Sequence, residues 1–239
     1  MIPVNIKVLG ISGTPIKGGN CDTMVQEALK TAAEIEGVET EFITMADKEI
    51  TYCKHCQWCI ENRAPCKIKD DAQMILDKMT ECDGLILGAP TWNVKAAPLI
   101  NMLISRWRYY HFFTYEFGRK IVGVLTVGFL NVGLEGALYD LEIFGRGAGP
   151  VVARGWACAS TAAFGQRPAY LEHGVLDDPA GMARVRDVAI KVVEFARIVK
   201  YATEAGIALP DEYRRTFRGV RVKDKEKKVF VDGVWRDRE

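Results

Sequence analysis

A chain of 239 residues, 49% hydrophobic and 26% charged, is long enough to bury a full core and has the apolar content of an ordinary globular domain. Its 32 basic and 31 acidic residues leave a net charge of +1, which argues against a general nucleic-acid-binding role, and no apolar stretch is long enough to span a bilayer. Seven cysteines, an odd number, make a poor disulfide framework and point to thiols kept reduced, as in a cytoplasm.

The first residues, Met1-Ile-Pro-Val-Asn-Ile-Lys7, contain no basic region followed by a long apolar stretch, so no signal peptide is expected. Ile6–Ser12 is an apolar run ending in small residues and reads as a buried strand. Asp22–Glu36 carries Met24, Val25, Ala28, Leu29, Ala32 and Ile35 at helical spacing, with Gly37 closing it. Val38–Thr44 reads as a second strand. A cysteine-rich loop follows at 51–68. Asp71–Glu81 reads as a helix with Met74, Ile75 and Met79 inward. Gly84–Pro90 is a third buried strand, Ala97–Arg108 a helix, and Lys120–Val127 a fourth strand. A helix over Leu134–Phe144 and a strand over Val151–Ala159 come next. Pro179–Ala205 is the clearest helix: Asp178 caps it, Pro179 sits at its first position and Gly206 stops it. Its expected buried stripe is Val185, Val188, Val192, Phe195, Ile198 and Val199.

Five strands alternating with helices predict an α/β fold, a parallel sheet covered on both faces. Ligands on such sheets bind beyond the carboxyl ends of the strands, at a topological switch point. The loops after strands one, three and four are therefore where chemistry is expected.

The first of these, Ser12-Gly-Thr-Pro-Ile-Lys-Gly-Gly-Asn-Cys-Asp-Thr23, leaves a strand and enters a helix N-terminus. Small hydroxyls and backbone N–H groups at such a place make an anion cradle, reinforced by the helix dipole. The loop is neither G-x-G-x-x-G nor a Walker loop. It suits a single terminal phosphate, such as that of FMN. The second, Gly88-Ala-Pro-Thr-Trp-Asn-Val-Lys-Ala-Ala-Pro98, offers Thr91 and Asn93 to hydrogen-bond a flat heterocycle and Trp92 to stack on one or to plug a subunit interface. In the third, Thr126–Glu135, Gly128 and Gly133 allow backbone close to a ligand ring.

The most specific feature is the run Cys53, Cys56, Cys59 and Cys66, spaced C-x2-C-x2-C-x6-C. Four thiolates suit an iron–sulfur cluster or tetrahedral zinc. The continuous C-x2-C-x2-C step is the more ferredoxin-like pattern, and with no second run to share the fourth cysteine it points to one [4Fe–4S] cluster ahead of zinc or free thiols. His55 lies inside the loop, where it can adjust a potential, relay a proton or simply face solvent, and Trp58 can shield a cluster from water. Cys82 and Cys158 read as buried small hydrophobes. The aromatic stretch Trp107–Tyr115 reads as an oligomer interface ahead of a pocket wall.

Beyond residue 209 the chain reads as an extension, residues 210–239. Arg214–Lys228 is rich in basic residues and reads as a solvated tail. Val229-Phe-Val-Asp-Gly-Val-Trp235 reads as a hairpin around an Asp-Gly turn.

These residues resemble the flavodoxin-like NADPH-dependent FMN reductase superfamily, and more narrowly its iron–sulfur flavoprotein branch. The likeness rests on the Ser-Gly-Thr-Pro-Ile-Lys-Gly-Gly-Asn phosphate loop, the Gly-Ala-Pro-Thr-Trp loop and the cysteine run, and spans about residues 4 to 205. It implies a flavodoxin-like five-stranded parallel sheet over residues 1–209, with FMN and a [4Fe–4S] cluster held near it. It implies that Ser12, Thr14, Asn20, Cys21 and Thr23 surround the phosphate, that Pro90, Thr91, Trp92 and Asn93 contact the ribityl chain and ring, and that Thr126, Val127 and Gly128 line the far edge. Cys53, Cys56, Cys59 and Cys66 would hold the cluster. Two positions depart from the family pattern: Ile16 stands where Arg is common, with Lys17 its neighbour, and Cys21 where Ser or Thr is common. The likeness further implies a cytoplasmic homodimer or homotetramer that takes electrons from ferredoxin or a similar carrier and passes them to a small-molecule acceptor. Two alternatives stay open: an NAD(P)H-dependent FMN or quinone reductase with structural zinc, and a redox carrier or sensor with no substrate of its own.

Overall fold

The computed structural model describes residues 4–114, 116–129, 132–159, 173–208, 228–231 and 234–237. Its centre is a sheet of five parallel strands, β1 (Ile6–Ser12), β2 (Val38–Thr44), β3 (Gly84–Trp92), β5 (Ile121–Gly128) and β6 (Val151–Cys158), in the order β2-β1-β3-β5-β6. A two-residue strand β4 (Lys95–Ala96) folds back antiparallel on the end of β3. The order reverses direction at β1/β3, the flavodoxin-type switch point, where a crevice opens beyond the strand ends.

Seven helices accompany the sheet among the described residues: α1 (Asn20–Ala33), α2 (Trp58–Glu61), α3 (Ala72–Glu81), α4 (Pro98–Arg106), α5 (Arg108–Phe113), α6 (Leu134–Ala148) and α7 (Pro179–Glu204). Alternation along each strand sends side chains to two cores. Leu9, Ile11, Leu85, Leu87, Val122 and Val124 meet α3, α4, α5 and α6 on one face. Ile6, Val8, Ile86, Leu125 and Val127 meet α1 and α7 on the other. The expected strands and helices are thus present, with boundaries shifted by a few residues.

The caps read from the sequence of α7 are in place. Asp178 Oδ1 accepts from the Gly181 N–H at 2.8 Å while its Oδ2 accepts from the Cys158 N–H at 2.9 Å, tying the helix start to the end of β6. Gly206, at φ +69°, ends it. The buried stripe differs from expectation: Val185, Val188, Ala189, Val192, Val193 and Ala196 are buried, whereas Phe195 and Ile198 are exposed. At 3.6 residues per turn Ile198 falls on the opposite side of the helix from the buried Ala189. Met74 likewise points outward while Ile75, Leu76 and Met79 fill the core.

Of the aromatic stretch, Tyr110 is buried and Trp107, Tyr109 and Phe113 are half-buried. Trp107 stacks on Phe144 with ring centres 4.5 Å apart and leans on Phe117, and the buried Tyr110 hydroxyl donates to the Asp77 carboxylate. Within this stretch His111 and Phe112 are exposed. The stretch therefore braces the α5–α6 side of the core. At the far end, β7 (Lys228–Val231) and β8 (Val234–Asp237) pair antiparallel, with Val231 opposite Val234, while the expected Asp232-Gly233 turn lies outside the described residues. Apart from Lys228, the basic run 214–228 lies outside the described residues. No described helix is long and apolar enough to cross a membrane.

Candidate functional site

The first loop leaves β1 at Ser12 and enters α1 through Gly18, at φ +68°, and Gly19. Gly88 on the neighbouring strand lets the helix settle close behind it: a Cβ there would lie 2.3 Å from Val25 Cγ2. No side chain caps α1, so its first-turn amides keep their positive dipole end for a ligand. Ser12 is fully buried, and its hydroxyl has no oxygen or nitrogen partner; the group it acts on is the neighbouring Cys21 thiol, which it pulls down against the effect of burial. A buried hydroxyl without an oxygen or nitrogen partner at an uncapped helix N-terminus is what a phosphate ester would complete. Thr14 is buried beside it, its Oγ1 accepting from the Ile16 N–H at 3.1 Å. These features fit the phosphate of FMN.

The other residues of this group are engaged with protein. Asn20 Oδ1 accepts from the Val175 N–H at 2.8 Å, and Thr23 Oγ1 pairs with His173 Nδ1 at 2.9 Å. Both bonds fasten the segment after β6, including a 3-10 turn at Gly174–Asp177, onto the start of α1. His173 had no local signal in the sequence and is brought in by topology. Cys21 is buried, and burial pushes its thiol up to about 12, so it stands neutral beside the cradle and adds no charge against an anion. Asp22 Oδ2 accepts from the Gly18 N–H at 2.8 Å, closing the loop. Lys17 turns away to Asp47, 2.8 Å distant, and Ile16 is exposed.

In the second loop, Pro90, Thr91 and Trp92 form the end of β3, and Trp92 is half exposed. Asn93 and Val94 then turn the chain into β4 with φ of +46° and +60°. Two positive φ values between paired strands make a type I′ hairpin turn, and a β-branched residue in that conformation is strained. The turn is held from below: a Cβ on Gly133 would meet Val94 Cα at 2.7 Å, and one on Gly136 would meet the Val94 carbonyl oxygen at 2.0 Å. Gly133 therefore admits protein backbone rather than a ligand ring. In the third loop Thr126 is fully buried, its hydroxyl donating to the Ala89 carbonyl at 2.9 Å and lying 3.2 Å from Thr91 Oγ1. The Val127 side chain belongs to the α1/α7 core. What the end of β5 can offer a ligand is thus the backbone of Thr126, Val127 and Gly128, and Thr126 also fixes the Thr91 rotamer.

The cysteine loop is anchored on α4 and α5. The Cys53 N–H donates to Ser105 Oγ at 2.9 Å, and the His55 N–H to Cys53 Sγ at 3.3 Å. His55, Gln57 and Arg63 all have positive φ, which curls the chain tightly between the thiols. All four cysteines are half-buried and free. Burial pushes the Cys59 thiol up, with Cys66, Cys53 and Cys56 adding to it against the pull of Arg108, so the four thiols share one neighbourhood. The donor set fits a thiolate-held centre by chemistry. The side chains are not preassembled: among the described residues no three His, Cys, Asp or Glu stand at ligating distance. Trp58 and Cys66 line one open groove with Pro65, Ile68 and Gln73. Cys82 is buried as expected and its thiol is pushed up to about 12 by burial, while Cys158 is only half-buried at the end of β6.

A flavodoxin-type sheet with an uncapped helix N-terminus and two flanking loops at its switch point is an arrangement that suits a flavin. Comparison with known proteins agrees. Residues 6–164 match the NADPH-dependent FMN reductase family. The chain is 41% identical over 140 residues to an iron–sulfur flavoprotein of Methanocaldococcus jannaschii, covering 58% of this chain and 71% of that protein. It is 29% identical over 191 residues to an iron–sulfur flavoprotein of Archaeoglobus fulgidus, covering 78% and 95%. Among solved structures, a flavone reductase superposes with a TM-score of 0.61 at 22% identity, covering 82% of this chain and 65% of that one. An NADH:FMN oxidoreductase superposes at 0.53 and 14% identity, covering 83% and 90%. At those identities the superpositions speak for the fold. The chain belongs to the iron–sulfur flavoprotein branch of the NADPH-dependent FMN reductase family, and is an FMN-dependent oxidoreductase.

Proposed function

We propose that the chain moves electrons between a one-electron donor such as ferredoxin, a [4Fe–4S] cluster on Cys53, Cys56, Cys59 and Cys66, FMN, and a small acceptor. The observation that carries this reading is the cysteine loop: four free thiols in one neighbourhood, on a chain curled by three positive-φ residues and fastened to α4. When bound, FMN takes one or two electrons and a cluster takes one, so the pair couples single-electron supply to two-electron chemistry.

The residues divide the work by position. Ser12, Thr14 and the first-turn amides of α1 hold the phosphate; Trp92, Asn93 and the backbone ends of β3 and β5 bound the ring. Ser105 and Arg106, which seat the cysteine loop, stand about 12 Å along α4 from Pro98, the residue that follows the flavin side, at 1.5 Å per residue. Within one chain the two centres therefore occupy separate ends of a strut, an arrangement suited to a homodimer or homotetramer in which one subunit's cysteine loop approaches another's flavin. Lys54, Arg63 and Lys67 stand in the cysteine loop against Glu61, giving it a basic rim that suits an acidic electron carrier.

A second reading is an NAD(P)H-dependent reductase with zinc in the four thiolates; its use of NAD(P)H is favoured by the family match, and its zinc by the tetrathiolate donor set alone. An anaerobic visible spectrum with iron, sulfide and zinc assayed on the same sample decides. About four iron and four sulfide per chain beside flavin is the expected result. About one zinc without sulfide would replace the first reading with the second.

A further inference from the structure

We propose that Arg106 and Arg108 form a cationic floor under the cysteine loop: Arg106 staples its two ends together without metal, and the N–H groups both arginines leave over serve the anionic centre the thiols enclose. The second half rests on the function proposed above; the first does not.

Arg106 ends α4, a helix otherwise made of apolar and small polar residues, and is buried. Its Nη1 donates to the Thr51 carbonyl at 2.7 Å and to Asp70 Oδ2 at 2.6 Å, and its Nη2 donates to the Ile68 carbonyl at 3.1 Å. Thr51 and Ile68 bracket all four cysteines. One planar guanidinium thus closes the loop from both sides, a task suited to its fixed fork and beyond the single ammonium of lysine. Asp70 completes the staple: its Oδ2 also accepts from the Thr51 N–H at 2.8 Å, and its Oδ1 from the Ala72 N–H at 3.1 Å. The Arg106 and Asp70 side chains are 1% and 5% exposed, so the pair is held out of water.

Two donors remain. Arg106 Nε and Arg108 Nη1 are both buried and both lack a hydrogen-bond partner. Buried guanidinium N–H groups are costly to leave unmade. Both arginines stand against the loop: Arg106 lies between Thr51 and Ile68, which bracket the thiols, and α5, which Arg108 opens, packs against α2, the turn that carries Cys59. A tetrathiolate centre carries net negative charge, and N–H groups directed at its sulfurs raise its potential. The structure thus assigns the two leftover donors the same task from adjacent positions on α4 and α5.

The test uses the full chain with Arg106→Lys, Arg106→Gln and Arg108→Gln. After chelation, amide exchange over residues 49–53 and 68–72 should run about tenfold faster in both Arg106 variants, the effect of losing charge-assisted hydrogen bonds, and at the wild-type rate in Arg108→Gln. In reconstituted protein, Arg108→Gln should shift the cluster's midpoint potential to more negative values with iron and FMN content unchanged, a readout that a purely structural arginine would not move. Wild-type exchange in the Arg106 variants overturns the staple; an unmoved potential in Arg108→Gln overturns the floor. If Arg106→Gln does not fold, Arg106→Lys, which keeps a cation beside Asp70 but not the fork, decides. Wild-type protein with zinc and no sulfide would overturn the proposed function and the potential arm with it, while the exchange arm stands or falls on its own.

Discussion

Gly133 offers the sharpest test of how the flavin side is built. It stands at φ +77° before α6, and a Cβ added there would lie 2.7 Å from Val94 Cα and 2.8 Å from Val94 Cγ1. Gly133→Ala therefore meets two penalties. Left-handed backbone costs a non-glycine residue about 1–2 kcal/mol. Forcing a methyl into filled space costs about 1–3 kcal/mol. Gly206→Ala separates them, because Gly206 stands at φ +69° with nothing within 4 Å of the added methyl. The excess of Gly133→Ala over Gly206→Ala should be about 1–3 kcal/mol. For a chain of this size that is a further fall in Tm of roughly 2–12 °C, read on FMN-free protein so that ligand does not mask it. Val94 Cα is backbone and cannot rotate away, so relief comes from moving the Asn93–Val94 turn, and Thr91 and Trp92 move with it. FMN affinity, followed by flavin fluorescence, should fall about tenfold in Gly133→Ala, as for a loss of ~1.4 kcal/mol, and stay unchanged in Gly206→Ala. Equal melting of the two variants, or wild-type FMN affinity in Gly133→Ala, would refute the packing argument.

Four further outcomes are expected. Ser12→Ala removes a buried hydroxyl whose protein contact is the Cys21 thiol, so the FMN-free protein should change by no more than about 1 kcal/mol while FMN binds about tenfold more weakly; calorimetry reads both, and a larger loss of stability would place the hydroxyl in a structural bond instead. Cys59→Ser should lose iron and sulfide but keep wild-type FMN content, since the flavin cradle shares no residue with the cysteine loop; loss of both would show that the centres assemble together. Burial pushes the Cys21 and Cys82 thiols up to about 12, well above the ordinary thiol range, so their contribution is complete below pH ~9 and is lost as pH rises toward 12. The fall in Tm between pH 9 and 10.5 should therefore flatten in a Cys21→Ala/Cys82→Ala double variant, and an unchanged slope would remove these thiols as its cause. Reduction by an acidic protein carrier should slow as salt rises from about 0.1 M, where screening reaches ~10 Å, whereas reduction by an uncharged dye should not; equal salt response would dismiss the basic rim.

Strands, helices and the α7 caps were legible because their causes are local: buried strands read as apolar runs, and Asp178-Pro179 and Gly206 announce a helix start and stop within a few residues. The cysteine spacing was legible for the same reason. What was not legible depends on partners far along the chain. Asn20 and Thr23 also meet Val175 and His173, brought over α1 by the return from β6, and no local signal announces those contacts. Thr126 looked like a ligand contact, yet one hydrogen bond to Ala89 turns it inward. Gly133 looked like room for a ring, and the room is filled by Val94 from another loop. Arg106 gave no signal at all, because its meaning lies in Thr51, Ile68 and Asp70, none of them near it in sequence.

These non-local partners also explain how one short helix can serve both halves of the site. The residue before α4, Ala97, donates its N–H to the Pro90 carbonyl at the flavin end, and Ser105 and Arg106 at its other end hold the cysteine loop. Between them Ile100 and Leu103 are fully buried in the core, so α4 cannot shift without repacking it. A helix so held fixes the separation of the two ends by its own length, whatever the loops beyond it do. The spacing of the two ends within one chain is then a property of the fold rather than of either loop.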